Sequence, residues 1–239
     1  MPRQPLPSNQ IIRTGSLRLS VTEARWPLAV ENAADIHNHF DRRKAANPSF
    51  YDGQVFVVRD IWCEDAGIVA SLSLERFSSF LYWRDGQARD DATLDGFGSA
   101  LVQSAEGHVL AIKASPGMLN AGRVYLPGGF IDARDARTGG TIDIDASIAR
   151  ELAEETGLDA RLLNRRPGYL VVHHGRHCCF CIAYRATLAA EELRREMLAG
   201  AARDTEREVA DVIVIRDMDD LSQHSVIDHA RLLIANALS

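Results

Sequence analysis

The chain has few cysteines, no surplus of positive charge and no long apolar run. Four cysteines occur in 239 residues, and three of them crowd together at Cys178, Cys179 and Cys181. Neighbours that close make poor disulfide partners, which argues against a disulfide framework and for a reduced, cytoplasmic setting. Lys and Arg number 27 against 33 Asp and Glu, a net charge of −6. That balance cannot neutralise a phosphate backbone, so a nucleic-acid duplex is not an expected partner. No stretch approaches the roughly 18 apolar residues that span a bilayer, and no membrane partner is expected. The opening Met1 to Pro7 lacks the apolar segment of a secretory signal. What is present, 46% hydrophobic and 25% charged residues, is ordinary for a globular protein of more than one small domain.

Local patterns organise the chain. Residues 1–15 are polar and Pro-rich and read as a flexible arm. Ser16 to Glu23 alternates apolar with polar residues, as a half-buried strand does. Pro27 opens a helix that runs to about Ala46, and Asn47-Pro48 closes it. Val55 to Trp62 and Gly67 to Phe77 read as strands. The polar stretch from Asp85 to Asp95 reads as a linker, dividing an amino-terminal α+β region over 16–90 from a larger domain over 91–239. In that domain, Gly98 to Ser104 and His108 to Ala114 make a hairpin around Glu106-Gly107. Val124 to Leu126 is a short strand; Leu158 to Leu163, Gly168 to His174, Cys178 to Leu188 and Glu208 to Arg216 are further strands. Helices are expected over Ala146 to Thr156, with Asp145 as N-cap, over Ala189 to Gly200, and over Ser225 to Leu238. Strands on both sides of one central helix predict an α/β sandwich.

The chemistry concentrates in that central helix. Glu151, Glu154 and Glu155 lie at i, i+3 and i+4, which places three carboxylates on one helical stripe. Like charges so placed repel by a few tenths of a kcal/mol per pair. A hard divalent cation among the oxygens would turn that repulsion to advantage. Alone, the stripe reads as a solvated acidic face. Its surroundings decide otherwise: Leu126-Pro127-Gly128-Gly129-Phe130 precedes it, and Gly157 ends it.

Arg150-Glu151-Leu152-Ala153-Glu154-Glu155-Thr156-Gly157-Leu158 after that glycine pair resembles the Nudix box, G-x5-E-x7-R-E-U-x-E-E-x-G-U with U apolar. The second half matches at every specified position. The interval from Gly129 to Arg150 is seven residues longer than the pattern, and the excess falls within Asp132 to Thr141. Counted back from Arg150, the first Glu of the box falls on Ile142, and Asp143 is the nearest acid to stand in. The resemblance implies a Nudix α/β/α sandwich with a smaller amino-terminal α+β region. It implies that Glu151, Glu154, Glu155 and the Gly128 carbonyl hold Mg²⁺, with Mn²⁺ as substitute, and that Arg150 orients a box glutamate. Arg123 and Lys113 are the expected cations for a substrate diphosphate, and Glu206 and Glu208 the late-loop candidates for general base. The implied activity is hydrolysis of a nucleoside diphosphate linked to a group X, giving a nucleoside monophosphate and phosphorylated X. Asn47 to Phe56 resembles the amino-terminal region of the branch acting on UDP-sugars, so a UDP-sugar or ADP-ribose is the expected substrate class. The lengthened loop and the missing first Glu motivate an alternative, a non-catalytic module that binds a nucleotide-sugar. The opening third is also a candidate for pairing two copies into a homodimer.

Other side chains that suggest chemistry have plainer readings. His173, His174, His177, Cys178, Cys179 and Cys181 suggest zinc, but alternate strand residues face opposite ways, so at most half could converge. His37 and His39, two apart on a helix, do not face each other and read as structural. Trp26, Trp62, Trp83 and Phe80 read as core or interface.

Overall fold

A computed structural model describes residues 3–239. In chain order the elements are β1 (Gln4–Pro5), β2 (Ile11–Thr14), β3 (Leu17–Val21), α1 (Pro27–Glu31), α2 (Ala33–Ala46), β4 (Gln54–Glu64), β5 (Gly67–Arg76) and α3 (Phe77–Arg84). There follow β6 (Leu94–Gln103), β7 (Val109–Ala114), β8 (Val124–Tyr125), β9 (Gly128–Phe130) and α4 (Ile144–Thr156). The chain closes with β10 (Asn164–Arg165), β11 (Tyr169–His174), β12 (His177–Arg185), α5 (Ala190–Ala201), β13 (Val209–Ile215) and α6 (Asp228–Leu238). All thirteen strands belong to one sheet, whose main path is β2-β11-β12-β6-β4-β5-β3. β12 runs parallel to β6, and β3 parallel to β5; the remaining pairs are antiparallel.

Alternation along the strands sends successive side chains to two faces. From β6, Ala100 and Val102 join Ile144, Ile148 and Leu152 of α4 and Leu193 and Met197 of α5. Leu101 of the same strand joins Ala230, Leu233 and Ile234 of α6 on the other face. β4 behaves alike: Phe56 and Val58 enter the α4 core, while Val55 and Val57 meet Trp26, Phe40, Phe77, Phe80 and Trp83 of the amino-terminal helices. Three layers result, with α4 and α5 on one face, and α1–α3 together with α6 on the other. Gly98 lets α4 sit close, since a Cβ there would lie 2.7 Å from Ile148 Cγ1.

Several expectations need correction. The arm expected over 1–15 is built into the sheet: β1 pairs with β4 and β2 with β11. The helix expected from Pro27 to Ala46 is two helices meeting at Asn32. The linker expected to reach Asp95 ends earlier, because β6 starts at Leu94 and pairs with β4, so the sheet runs unbroken from the opening third into the rest. The buried run Phe77–Trp83 forms α3, which the sequence does not announce because the helix is buried on all sides, Ser78 and Ser79 included, and shows no helical stripe. Leu158 to Leu163 is a turn with a short 3-10 segment rather than a strand.

Asp90 joins the amino-terminal helices to β6. It accepts hydrogen bonds from Trp26 Nε1 (2.7 Å), Thr93 Oγ1 (2.6 Å) and the Ala92 and Thr93 amides. Burial pushes its acidity constant up, but these donors outweigh burial and bring it down to about 2 from 3.8. A carboxylate lowered on folding contributes stability above its unfolded value and loses it as pH falls toward the folded one. With the side chain 19% exposed, the contribution at neutral pH is at most about 2 kcal/mol. Asp90→Asn is expected to lower Tm at pH 7 by several degrees, with the deficit shrinking from pH 4 toward pH 2; thermal unfolding followed across that range checks it.

Candidate active site

The helix α4 forms where it does because Asp143 caps it, accepting from the Ala146 amide at 3.0 Å. Asp145, the expected cap, instead accepts from Tyr169 Oη at 2.7 Å and Arg165 at 3.1 Å. Gly157 ends the helix in the left-handed region at φ 71°, its amide on the Ala153 carbonyl at 2.8 Å. Ile144, Ile148 and Leu152 fix the helix to the sheet, and that rotation turns the carboxylate stripe toward β9.

The stripe is not a solvated face. Glu155 is 2% exposed, and its Oε2 accepts the Gly128 amide at 2.7 Å. Glu151 reaches under the glycine pair: a Cβ on Gly129 would lie 2.3 Å from Glu151 Oε2, so only glycine leaves room for the carboxylate. Glu154 stays half exposed. Burial pushes the Glu151 carboxyl up to about 7 against the pull of Arg150. Burial, then the charge of Glu151, holds Glu155 well above the carboxylate range despite the Gly128 amide. Glu208, just before β13, belongs to the same electrostatic cluster. Burial, a hydrogen bond with Glu206 and the charge of Glu151 raise it to about 8. The Tyr125 phenol is pushed up by burial and then by Glu155, Glu208 and Glu151, so it stays a neutral donor beside the acids.

Arg150 ties the stripe together. Its Nη1 donates to Glu151 at 2.5 Å and Glu154 at 3.3 Å. Its Nη2 donates to both oxygens of Asp135, at 3.0 and 3.2 Å. Asp135 is 2% exposed and also accepts the Asp132 amide at 3.0 Å.

The family model for the NUDIX domain matches residues 94–226, more than half of the chain. The chain belongs to the Nudix family. It is a Nudix-type pyrophosphohydrolase, an α/β protein with a region preceding the Nudix domain. No curated protein matches it in sequence. Among solved structures it is similar to DR0079 from Deinococcus radiodurans, at 12% identity and TM-score 0.48, over 78% of this chain and 99% of that one. It is similar to RenU, a Nudix hydrolase from M. smegmatis, at 14% identity and TM-score 0.39, over 61% and 86%. It is also similar to a MutT protein from Methanosarcina mazei Go1, at 17% identity and TM-score 0.40, over 60% and 92%. Likenesses that weak add nothing to the domain match.

The Nudix box has its first acid after all. Asp143, the expected stand-in, is occupied with the helix cap and with Arg137 at 2.8 Å. Asp135 makes the contact with Arg150, and it lies six residues after Gly129, where the box counted forward from its glycine places an acid. The extra residues therefore lie between Asp135 and Arg150. They form a turn in which Arg137 and Thr141 bond through the backbone at 2.7 Å. The spacing from Gly129, rather than from Arg150, carries the signal for this acid.

The other expected residues scatter. Glu208 is within the influence of Glu151, while Glu206 is exposed. Among the described residues, no ion pair links Lys113 or Arg123 to the box glutamates, whose partners are Arg150 and Arg134. Lys113 lies on β7 opposite Val124 and Asp211. Arg123 lies toward Arg84 and His229. Cys178 enters the core under α4, whereas Cys179 and Cys181 enter the core under α6. His39 pairs with Asp85 at 2.7 Å.

Nudix hydrolases generally use a divalent metal. As they stand, no three acidic, His or Cys side chains among the described residues are gathered closely enough to ligate one ion. The donor chemistry nevertheless fits a hard cation: the converging groups are oxygen donors, and two are buried carboxylates whose shared charge lacks full compensation. Among the described residues no helix is long and apolar enough to cross a membrane.

Proposed function

We propose that the protein is a Mg²⁺-dependent hydrolase that splits the diphosphate of a nucleoside diphosphate linked to X, of the UDP-sugar or ADP-ribose class. The products are a nucleoside monophosphate and phosphorylated X. The observation that carries this reading is the pair of buried carboxylates, Glu151 and Glu155, held above their ordinary range behind Gly128 and Gly129. In this reading Glu151, Glu154, Glu155 and the Gly128 carbonyl hold the cation, and Mn²⁺ can replace Mg²⁺. When bound, the cation draws charge from the phosphoryl oxygens and makes a bound water more acidic. Arg150, held from behind by Asp135, keeps Glu151 and Glu154 in place. Glu208, raised to about 8, is suited to take a proton from the attacking water near neutral pH. Arg123 and Lys113 offset the substrate's negative charge.

The alternative, a module that binds a nucleotide-sugar without cutting it, is motivated by the lengthened loop and the missing first Glu. Asp135, six residues after Gly129 and bonded to Arg150, speaks against the second of these. Purified protein is expected to release AMP or UMP from ADP-ribose or UDP-glucose with Mg²⁺ and none with EDTA, read by chromatography. No nucleoside monophosphate from a panel of such diphosphates, with Mg²⁺ or Mn²⁺, would overturn the reading.

A further inference from the structure

The sheet face opposite the glutamates carries a second group of polar and aromatic side chains. It lies between the end of α3 and the start of α6. Phe97 of β6 stands with its ring 4.8 Å from that of His229 and 6.3 Å from that of His177, and the two histidine rings are 5.8 Å apart. His177 Nδ1 lies 3.1 Å from Asp95 Oδ2. Arg84 closes the group from α3: its Nη2 donates to Asn120 Oδ1 at 2.8 Å, in the turn whose backbone bond at 3.0 Å leads to Arg123. The next residue, Val124, bonds through its backbone to Ser225 and Ile227 at the start of α6, which returns the chain of contacts to His229.

Two features are hard to explain by folding alone. Burial holds the Arg84 guanidinium below its ordinary value; the charges of Asp95 and Asp85 favour its charged form and that of Arg123 opposes it, and neither Arg84 nor Arg123 makes an ion pair among the described residues. The nearby acids are engaged elsewhere: Asp85 with His39 and Arg43, Asp95 with His177. His229 is 7% exposed, and its Nδ1 is buried without a hydrogen-bond partner among the described residues. Two guanidinium groups with no ion pair of their own have donors to offer an anion. Flat rings beside an unsatisfied ring nitrogen suit a heteroaromatic base, which offers a π-face and polar edges.

The strip is also next to the proposed reaction site. Phe97 pairs with Phe130 in the register that sets Gly98 opposite Gly129, and Gly129 is the residue that covers Glu151. The two groups are thus one residue apart along β6 and β9, on opposite faces of the sheet.

We infer that this strip seats the nucleoside of the substrate, its base against Phe97 and His229 and its 5′-phosphate toward Arg84 and Arg123. The inference rests on the hydrolase reading for the identity of the ligand and adds to it which residues read the nucleoside. It makes the amino-terminal region part of substrate recognition, because Arg84 comes from α3.

Calorimetry on the full chain in EDTA tests the strip without turnover, with AMP, UMP and ribose 5-phosphate as probes. At least one nucleotide is expected to bind about tenfold or more tighter than ribose 5-phosphate, because only the nucleotide can stack. Phe97→Ala and Arg84→Gln are each expected to weaken that nucleotide about tenfold or more. Circular dichroism establishes that the variants are folded; should Arg84→Gln unfold, Arg123→Gln takes its place. Absence of nucleotide binding, equal affinity for ribose 5-phosphate, or parental affinity in the folded variants overturns the inference. Binding that behaves as expected in a protein that hydrolyses nothing overturns the hydrolase reading and keeps this one. Turnover at parental KM in Phe97→Ala and Arg84→Gln does the reverse.

Discussion

Glu155→Gln is expected to lose at least about a hundredfold in kcat with Mg²⁺ while gaining thermal stability in EDTA. The two effects have one cause. Glu155 is 2% exposed, and burial followed by the charge of Glu151 holds its carboxyl well above the carboxylate range. A carboxyl raised on folding costs the native state nothing below its unfolded pKa. Stability is lost as pH rises toward the folded value, because the unfolded chain gives up the proton more readily. Glutamine removes that pH dependence, keeps the shape, and still presents an oxygen to the Gly128 amide now 2.7 Å from Glu155. Without metal the variant should therefore melt higher than the parent at pH 8, and the gap should close toward pH 4. With Mg²⁺ the order should reverse, since only the parent gains by binding the ion. Full activity in Glu155→Gln, or a lower melting temperature in EDTA at pH 8, would remove Glu155 from the metal site. Glu154→Gln should also lose most turnover. Its carboxylate is half exposed, so it should show little of the stability gain.

That burial marks the limit of what the sequence alone could say. The spacing of Glu151, Glu154 and Glu155 put them on one stripe, and the stripe exists. Spacing cannot tell which side of a stripe meets the sheet, and the rotation of α4 is set by Ile144 and Ile148 meeting Gly98, with Leu152 in the same core. The core strands were legible because β4, β5 and β6 carry runs that only a sheet buries. The amino-terminal strands were not. Gln4–Pro5 and Ile11–Thr14 are too short and too polar to predict, and they are strands because β4 and β11 offer unpaired edges. Phe77–Trp83 failed for the opposite reason, being buried on every side with no polar stripe to mark a helix. The strip containing Phe97, His177 and His229 was not legible either. It joins β6, β12 and α6, and its cations come from α3 and the turn after β7.

Asp135→Ala is expected to cost about 3–5 kcal/mol, near 10 °C in Tm, together with most of the activity. Asp143→Ala should cost only about 1 kcal/mol, the worth of a helix cap, and leave kcat near the parent's. The contrast follows from what each acid holds. Asp135 gives both oxygens to Arg150 Nη2 and accepts the Asp132 amide; its side chain is 3% exposed and that of Arg150 19%. Removing it takes both close acceptors from a largely buried guanidinium and leaves only Asp132, 3.7 Å away, to oppose the pull of Glu151 and Glu154 on the other side. Asp143 is more exposed; its loss frees the Ala146 amide and Arg137, and water can reach both. Alanine at Asp135 should therefore change the pH profile of kcat as well as the melting temperature, because Glu151 would lose its anchored cation. A structural role alone would lower Tm and leave the profile of the remaining folded enzyme in place. If Asp143→Ala proved the more damaging of the two, the first acid of the box would have to be reassigned, and with it the position of the seven-residue insertion.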